Sequence, residues 1–577
     1  MKKPSLALVL LPILALASCG KNAQEAGLYY LENGEVKELS KLKLHFPQSS
    51  DIPYLSLEDA FGILSLKRRS VIEKDDFTYG LDQTQTTAVA TDDNGTKANF
   101  DVEKQTIVIE DFDHFVLGAA PGQSPLATAA VEPKMKSIKQ ISDKSSFTQG
   151  QTVTLNLSSY GLNMYPAEGG HGILIPLATF SDIFVGADLG FSGLAYNYTD
   201  VFFSTNGLKG MNSSSLNALG KRFYQTAPKR ATVSPSIADF TFRETAFNLD
   251  HFYGLKGIRG IDSFATYAEQ AGLKGAMLSG NLATMEKAYA TMLMRGLKDG
   301  HTSYFLPSAL TDYDHYELDP DCLDPAAVAK QQQEKEMNEQ RREKKLEKCF
   351  QVVGDTAFIY FDDFEEIDEK ALYGTLTEEA AELNNPVLFA YAYQQLAELK
   401  KAGTPVRNVV VDLVTNNGGD ATGLAYCLGT LLGEVSFDTL DPLTGARNHA
   451  TFRTDINVDG VIDEKDVPLC NEYNIAMLDS KFAFSCGNLF PVAAKALNPK
   501  VKILGDVTGG GTCALKTNFT PLGSTYFSSG LVMLQKKTAQ GYTHVEDGAA
   551  VDYPIAYDKM FDRDYIVQAL ASTVFPK

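Results

Sequence analysis

The chain has 577 residues, of which 44% are hydrophobic and 21% are charged. A chain of this length divides into several domains, and this composition is that of a globular protein. Acidic residues outnumber basic residues by 72 to 52, which gives a formal net charge of −20. Nucleic-acid binding needs clustered Lys and Arg to neutralise phosphates, so the charge balance argues against a nucleic-acid partner.

The N-terminal segment is typical of an exported lipoprotein. Lys2 and Lys3 precede an apolar run, Leu6 to Ala17, that is too short for a permanent membrane-spanning helix. The segment Leu16-Ala17-Ser18-Cys19 then resembles a bacterial lipobox, whose cysteine is lipidated. We predict a signal peptide over 1–19 and an extracytoplasmic protein that Cys19 anchors to a bacterial membrane. The alternative is an ordinary signal peptide with an incidental cysteine.

Residues 20–210 contain short apolar runs separated by Gly, Asn, Asp and Ser, a pattern that predicts a β-rich region. Two stretches within it, Ile52 to Phe61 and Ile173 to Phe184, resemble each other. Each predicts a strand followed by a short amphipathic helix. We therefore expect an accessory region that contains two small repeats.

Residues 211–350 have apolar residues at helical spacing and end in a charged segment, Ala326 to Lys348. Few apolar residues interrupt this segment, so it predicts a solvent-exposed surface helix. Six cysteines follow Cys19, and an even number in an exported chain permits disulfides. Cys322 and Cys349, which flank the charged segment, could form one.

Residues 351–577 alternate between strands and helices, which predicts an α/β domain with a mostly parallel sheet. Val409 to Leu413 is an apolar run with the length of a buried strand, and Gly418-Gly419 precedes the next helix. Val501 to Leu504 predicts a further strand.

Five short segments carry polar residues and glycines suited to acyl transfer. In chain order they are Asp299 to Ser303, Asp412 to Gly419, Phe484 to Phe490, Gly505 to Thr512, and Val545 to Asp552. Ser485 falls at a predicted strand-to-helix junction, where a helix N-terminus favours a developing negative charge. His301 on its own would equally suit the end of a helix, so the case depends on the five segments together.

The order and content of these segments resemble the tail-specific, or C-terminal processing, serine peptidases. This family also includes tricorn core protease and the interphotoreceptor retinoid-binding protein. The resemblance covers residues from roughly 245 to 570 and implies a crotonase-like spiral α/β domain over 351–577. The overall expectation is an α/β fold with a helical segment before this peptidase domain and a β-rich N-terminal region.

The resemblance also implies roles for particular residues. Ser485 would be the nucleophile that forms an acyl-enzyme, and His301 its general base. Glu546 would orient the imidazole or an intervening hydroxyl, unless it is a surface carboxylate. The backbone N–H groups of Gly418 or Gly419 and of Cys486 are candidate oxyanion donors. No cofactor is implied for catalysis.

The sequence departs from the family pattern in several places. One branch uses a Ser-Lys dyad, but the Gly-rich turn Gly509 to Thr512 has no lysine, so the Ser-His-Glu arrangement is favoured. Asn488 stands where an acidic residue is expected. The leading prediction is a serine endopeptidase for peptides or proteins. The alternatives are a catalytically inactive binding protein that retains the fold and a surface scaffold dominated by the N-terminal region.

A second candidate site lies between Asp455 and Asp466, inside the predicted peptidase domain. Its oxygen-bearing positions and Gly460 match the spacing of EF-hand or dockerin-type calcium loops. The expected ligands are Asp455, Asn457, Asp459, Val461 through its carbonyl, Asp463 and Asp466. We predict a structural Ca²⁺, the alternative being an acidic surface loop.

Overall fold

The computed structural model describes residues 23–32, 34–72, 77–117, 135–169, 171–186, 192–204, 216–539 and 541–576. The predicted signal peptide and the lipidation site Cys19 lie outside these ranges. Within them, no helix is both long and apolar enough to cross a lipid bilayer.

The N-terminal region is β-rich, as predicted, and contains two sheets. The seven-stranded sheet has the strand order Tyr165–Pro166, Ile173–Pro176, Tyr54–Ser56, Glu35–His45, Ala23–Glu32, Val201–Ser204 and Gly193–Tyr196. The five-stranded sheet has the order Val153–Asn156, Thr106–Ile109, Lys97–Asp101, Thr87–Thr91 and Gly80–Gln83.

The two similar sequence stretches occupy adjacent places in the seven-stranded sheet. Strands Tyr54–Ser56 and Ile173–Pro176 pair antiparallel, with Leu55 opposite Ile175. Each leads directly into a helix, and these helices pack through aromatic side chains. The Phe61 ring lies 5.6 Å from that of Phe180, between centroids. The two units therefore share one core, which accounts for their similar apolar patterns.

An eight-stranded antiparallel sheet joins segments from all three predicted domains. Ile138–Gln140 and Ser146–Thr148 pair with Arg447–Thr454, and Ser303–Leu306 pairs with Thr525–Thr538. The remaining strands are Val435–Leu440, Cys513–Phe519 and Gly541–His544. The predicted boundaries at residues 210 and 350 therefore do not separate independent sheets, because strand pairing joins residues far apart in the chain.

The C-terminal part contains a six-stranded sheet whose strands are parallel except for the first pair. Its order is Phe350–Val353, Thr356–Tyr360, Asn408–Asp412, Asn474–Asp479, Lys502–Gly505 and Tyr553–Pro554. Asn408–Asp412 is buried throughout, as its run of valines predicts. A short parallel pair, Asp363–Phe364 with Gly418–Gly419, lies beside this sheet. The predicted mixed α/β architecture is confirmed.

Helices cover the sheets and begin at polar caps. Asn384 caps the helix Asn385–Lys401 by accepting the Val387 N–H, and Asp420 caps Ala421–Leu432. The other α-helices are Leu57–Ile72, Phe112–Leu117, Leu177–Phe180, Ala218–Thr226, Pro235–Phe252, Phe264–Gln270, Lys274–Met277, Leu282–Ala290, Pro325–Glu343, Glu369–Leu372, Glu378–Leu383, Cys486–Leu497 and Arg563–Ala569. The π-helical turns Ser181–Val185, Thr291–Gly296 and Leu570–Val574 extend three of them.

The six cysteines within the described residues are free thiols. The suggested pairing of Cys322 with Cys349 is therefore wrong. Cys322 instead lies against the helix Leu282–Ala290, where its thiol is 3.5 Å from the Lys287 carbonyl.

The charged helix Pro325–Glu343 is attached to the parallel sheet through a buried ion pair. The Arg341 guanidinium donates two hydrogen bonds to Asp412, of 2.9 and 3.0 Å, and Arg563 donates a third of 2.7 Å. Arg341 also stacks 3.7 Å above the Tyr360 ring. The expected solvent-exposed helix is thus correct for most of its length, but not at Met337 and Arg341, which are buried.

Asp412 is fully buried at the C-terminal end of its strand. Burial alone would raise the pKa of its carboxyl, but Arg341 and Arg563 together hold that pKa well below the usual range. The carboxylate therefore stays ionised and fixes two helices to one strand end.

Replacing Arg341 with Met tests this attachment. Arg341→Met removes one partner of the buried ion pair, so we expect a loss of about 3 kcal/mol of unfolding free energy. The matched control is Arg342→Met, which changes the next residue of the same helix on its exposed side. Denaturant midpoints measure both, and equal midpoints for the two variants would contradict the prediction.

Candidate active site

Ser485 occupies a strained turn immediately before the helix Cys486–Leu497. Its backbone has φ 54° and ψ −120°, in a region that glycine favours over other residues. Such a conformation stores about 1–3 kcal/mol and persists only where its surroundings enforce it. Here the Ser485 N–H donates to the Gly510 carbonyl, and the Gly487 N–H donates to the Phe484 carbonyl. The serine hydroxyl makes no capping hydrogen bond to its own helix.

Two glycines allow other loops to approach this turn. A Cβ atom at Gly418 would lie 2.7 Å from the Ser485 Cβ, and one at Gly511 would lie 2.7 Å from the Ser485 nitrogen. Both glycines also have positive φ angles, of 110° and 92°. Only glycine meets both requirements, so the predicted Gly-rich segments do converge on Ser485.

Ser485 and His301 line the same pocket, which has a volume of about 860 Å³. Gly419 and Cys486 line it too. The structure therefore brings the predicted nucleophile, the predicted base and two predicted oxyanion donors to one concave site.

The His301 ring contacts Phe484, the residue before Ser485. Its centroid lies 4.7 Å from that of the Phe484 ring. Asp299 accepts the His301 backbone N–H at 3.0 Å and the Thr302 hydroxyl at 2.7 Å, which fixes this turn. Within the described part of the chain, the buried Nδ1 atom of His301 has no hydrogen-bond partner. Burial lowers the pKa of His301, and the nearby Asp299 charge opposes this only in part.

The Glu546 carboxylate accepts hydrogen bonds from groups other than His301. Its predicted role of orienting the imidazole is therefore corrected. One carboxylate oxygen accepts a hydrogen bond of 3.0 Å from Arg259. The other accepts the backbone N–H groups of Gly511 and Thr512, each at 3.0 Å. Glu546 therefore fixes the Gly-rich turn that holds Ser485. The motif indicated the segment correctly, but Arg259, which orients the carboxylate, lies outside every motif.

The candidate oxyanion donors differ in whether their N–H groups already have an acceptor. The Gly418 N–H donates to the Asn416 side chain at 3.1 Å and is therefore already used. In contrast, the hydrogen bonds among described residues leave the Cys486 N–H without an acceptor, at a helix N-terminus beside Ser485. The Cys486 thiol donates to the Gly419 carbonyl at 3.1 Å, and burial raises its pKa to about 12. Cys486 thus remains a backbone donor with an unreactive thiol.

Asn488 has a structural role. Its side-chain amide donates to the Val545 carbonyl at 3.0 Å, and its oxygen accepts the Thr508 hydroxyl at 2.6 Å. The side chain therefore connects the Ser485 helix to the two loops that flank the Gly-rich turn. An amide can both donate and accept, which a carboxylate cannot do in this position.

The charged helix contributes contacts that the sequence patterns did not indicate. Glu334 accepts a 3.1 Å hydrogen bond from Asn417, next to the paired glycines. The Lys330 ammonium lies 5.9 Å from the Phe484 ring centroid, on the loop that carries Ser485. Burial lowers the pKa of Lys330. No sequence signal distinguishes these two residues from the other charges of the helix.

The candidate calcium loop is curled by its own hydrogen bonds. Asp455 accepts the Gly460 N–H at 2.7 Å, and Asp466 accepts the Ile456 N–H at 2.7 Å. The Lys465 ammonium lies 3.8 Å from the Asp459 carboxylate and 3.4 Å from that of Asp463. Across the described ranges, no group of three or more His, Cys, Asp or Glu side chains is arranged to hold a metal ion.

Comparison with known proteins gives no match to any protein-family model and no significant match to a curated protein. Solved structures give matches of low overall similarity. A protein from Parabacteroides merdae, named as a candidate peptidase, has a TM-score of 0.37 at 18% identity, over 60% of this chain and 98% of its own.

Two further solved structures are enzymes of the kind that the sequence motifs resemble. The photosystem II D1 C-terminal processing protease has a TM-score of 0.27 at 16% identity, over 38% of this chain and 48% of its own. The tricorn protease has a TM-score of 0.22 at 16% identity, over 41% of this chain and 19% of its own. Similarity of this extent does not by itself assign an activity.

Proposed function

We propose that this chain is a serine peptidase that cleaves peptides or proteins through an acyl-enzyme on Ser485. The observation that carries the proposal is the strained Ser485 turn at a helix N-terminus, in the same pocket as His301. Strain of this kind is retained where it presents a side chain for a task. The crotonase-like spiral and the peptide substrate follow from the sequence resemblance and are part of the proposal.

The proposed reaction assigns one task to each group. The Ser485 oxygen attacks the substrate carbonyl carbon while His301 takes the hydroxyl proton. The Cys486 and Gly419 N–H groups donate to the resulting oxyanion, which the helix N-terminus also favours. The imidazolium then protonates the leaving amine, the C–N bond breaks, and water releases the acyl group by the same steps.

His301 is suited to this task because it is neutral near pH 7. Burial lowers its pKa, so the imidazole has a free nitrogen lone pair over the whole neutral range. Glu546 would act as a positioning residue by holding the Gly-rich turn, and no carboxylate need contact the imidazole. This arrangement gives a Ser-His pair in place of the expected Ser-His-Glu triad.

Labelling with a fluorophosphonate tests the nucleophile directly. The Ser485 oxygen would displace fluoride from phosphorus, so we expect covalent labelling that Ser485→Ala abolishes and His301→Ala slows at least about 100-fold. The matched control is Ser303→Ala, because Ser303 lines the same pocket without preceding a helix N-terminus. If the chain folds but shows no label that depends on Ser485, it is the binding protein that the sequence left as an alternative.

The pH dependence tests the base. The neutral imidazole is the active form, so kcat/KM should fall as the pH drops through the His301 pKa, with a midpoint below the ordinary value of 6.5. Asp299→Asn removes a charge that favours the imidazolium and should move the midpoint to still lower pH. Asp312→Asn, at an exposed site, should leave it unchanged. A midpoint above 6.5 in the unaltered enzyme would exclude a buried His301 as the base.

We also propose that the loop Asp455–Asp466 takes up Ca²⁺. Its oxygen donors suit a hard cation, and each carboxylate oxygen that accepts an N–H keeps a second lone pair. The Asp459 and Asp463 carboxylates both lie near one positive charge, the Lys465 ammonium, and a cation in the loop would be a second. A bound cation would stabilise this insertion and take no part in catalysis.

Calcium binding predicts a ligand-dependent rise in stability. At a Ca²⁺ concentration of about 100 times Kd, the unfolding free energy should increase by about 2.7 kcal/mol. Asp459→Asn should abolish most of this gain, while Asp558→Asn, outside the loop, should preserve it. If millimolar Ca²⁺ does not raise the denaturant midpoint, the calcium proposal is wrong and the loop is an acidic surface loop.

The predicted lipid anchor at Cys19 and the extracytoplasmic location complete the proposal. Both depend on the N-terminal sequence, and both remain predictions. Recovery of a Cys19→Ser variant in the soluble fraction, with the unaltered chain in the membrane fraction, would support them.

A further inference from the structure

The floor of the Ser485 pocket is one face of the eight-stranded antiparallel sheet. In antiparallel strands, directly paired residues point to the same side of the sheet. Phe437 pairs with Ala450, and Thr439 pairs with Leu534. Alternate positions along the same strands extend this face. Its apolar members in the pocket are Phe437, Ala450, Phe452, Val532 and Leu534.

The opposite wall is also apolar and comes from the parallel-sheet side of the domain. Phe364 belongs to the short strand pair, Leu424 lies on the helix after the paired glycines, and Leu489 lies on the helix that follows Ser485. Leu515 and Phe527, on neighbouring strands of the antiparallel sheet, also line the pocket. The nucleophile therefore opens onto a space between two apolar walls.

Several of these side chains are only half-buried. Phe437, Leu515 and Phe527 line the pocket and are each of intermediate burial. Large apolar surface lining a concave site is typical of a site that an apolar group fills.

The charges of the pocket do not favour a charged substrate side chain. No lysine or arginine is among the described residues that line it, so an acidic side chain would meet no counter-charge. The Asp420 carboxylate already accepts the Thr422 and Gly423 N–H groups. Glu366 is exposed, so its charge lies at the rim.

We infer that this pocket selects peptides that have a large apolar side chain, such as Phe or Leu, next to the bond that is cleaved. The inference rests on the proposed function, since it takes Ser485 as the nucleophile. A phenyl or isobutyl group would cover Phe437, Leu515 and Phe527, whereas a methyl group would leave them in water. The expected preference for Phe or Leu over Ala is about 10- to 100-fold in kcat/KM.

The test uses the full chain with quenched fluorescent peptides that differ at one position, holding Phe, Leu, Ala, Lys or Glu. Mass spectrometry locates the bond cleaved in each. We expect cleavage next to Phe and Leu to be fastest and cleavage next to Glu to be slowest.

Two variants test the residues assigned to the pocket. Leu515→Glu places a carboxylate on the apolar wall and should move the preference from Phe towards Lys by at least about 10-fold. Ala514→Phe fills part of the same space and should slow cleavage next to Phe more than cleavage next to Ala. The control Leu383→Glu changes a side chain that is 79% exposed and outside the pocket, and should leave the preference unaltered.

Fluorophosphonate labelling of each protein separates the two possible failures. A chain without Ser485-dependent labelling overturns the proposed function. A labelled chain that cleaves next to Ala as fast as next to Phe overturns only the selectivity. If a labelled chain hydrolyses a long-chain nitrophenyl ester but no peptide, peptides are excluded as the substrate class, and the apolar walls bind an acyl chain instead. Unchanged preferences in labelled Leu515→Glu and Ala514→Phe overturn the assignment of these walls.

Discussion

The close packing of three loops around the Ser485 turn is the constraint on which the site depends. The turn has a backbone conformation that serine does not adopt readily, and its neighbours enforce it. Gly418 and Gly511 come so near that a Cβ atom on either would meet Ser485 itself. Glu546 holds the second of these glycines by its N–H. The strain at Ser485 is therefore maintained by backbone contacts from elements far apart in the chain.

A buried cluster of three charged residues, Asp412, Arg341 and Arg563, supports the same loops. Asp412 ends the strand that leads to Gly418-Gly419, and its carboxylate is shared by Arg341 and Arg563. Because both guanidiniums come from helices, the strand end, the charged helix and the C-terminal helix are fixed to one another. The charged helix in turn contacts Asn417 and the Phe484 loop. A segment whose composition indicates only solubility thus supports the candidate active site.

The apolar walls give the same site its proposed selectivity. One wall is a face of the eight-stranded sheet, and the other consists of Phe364 with the helix residues Leu424 and Leu489. The proposed selectivity and the proposed chemistry depend on the same junction, since a shift between the two walls would change the pocket and the position of His301 together. The strand Ser303–Leu306 begins two residues after His301 and pairs with the strand that carries Val532 and Leu534.

The sequence by itself determined the local elements and the segments of the site. A run of valines and the start of a helix depend on neighbouring residues, so the buried strand Asn408–Asp412 and the helix that begins after Ser485 could be predicted. Only the tertiary structure decided the directions and partners of side chains. In the folded chain, Glu546 accepts a hydrogen bond from Arg259, and the Gly418 N–H donates to the Asn416 side chain. The Phe484 ring contacts the His301 ring, and the buried Arg341 donates to Asp412. These outcomes depend on residues far apart in the chain, and a local pattern contains no information about which of many similar charges or amides will meet when the sheets pack.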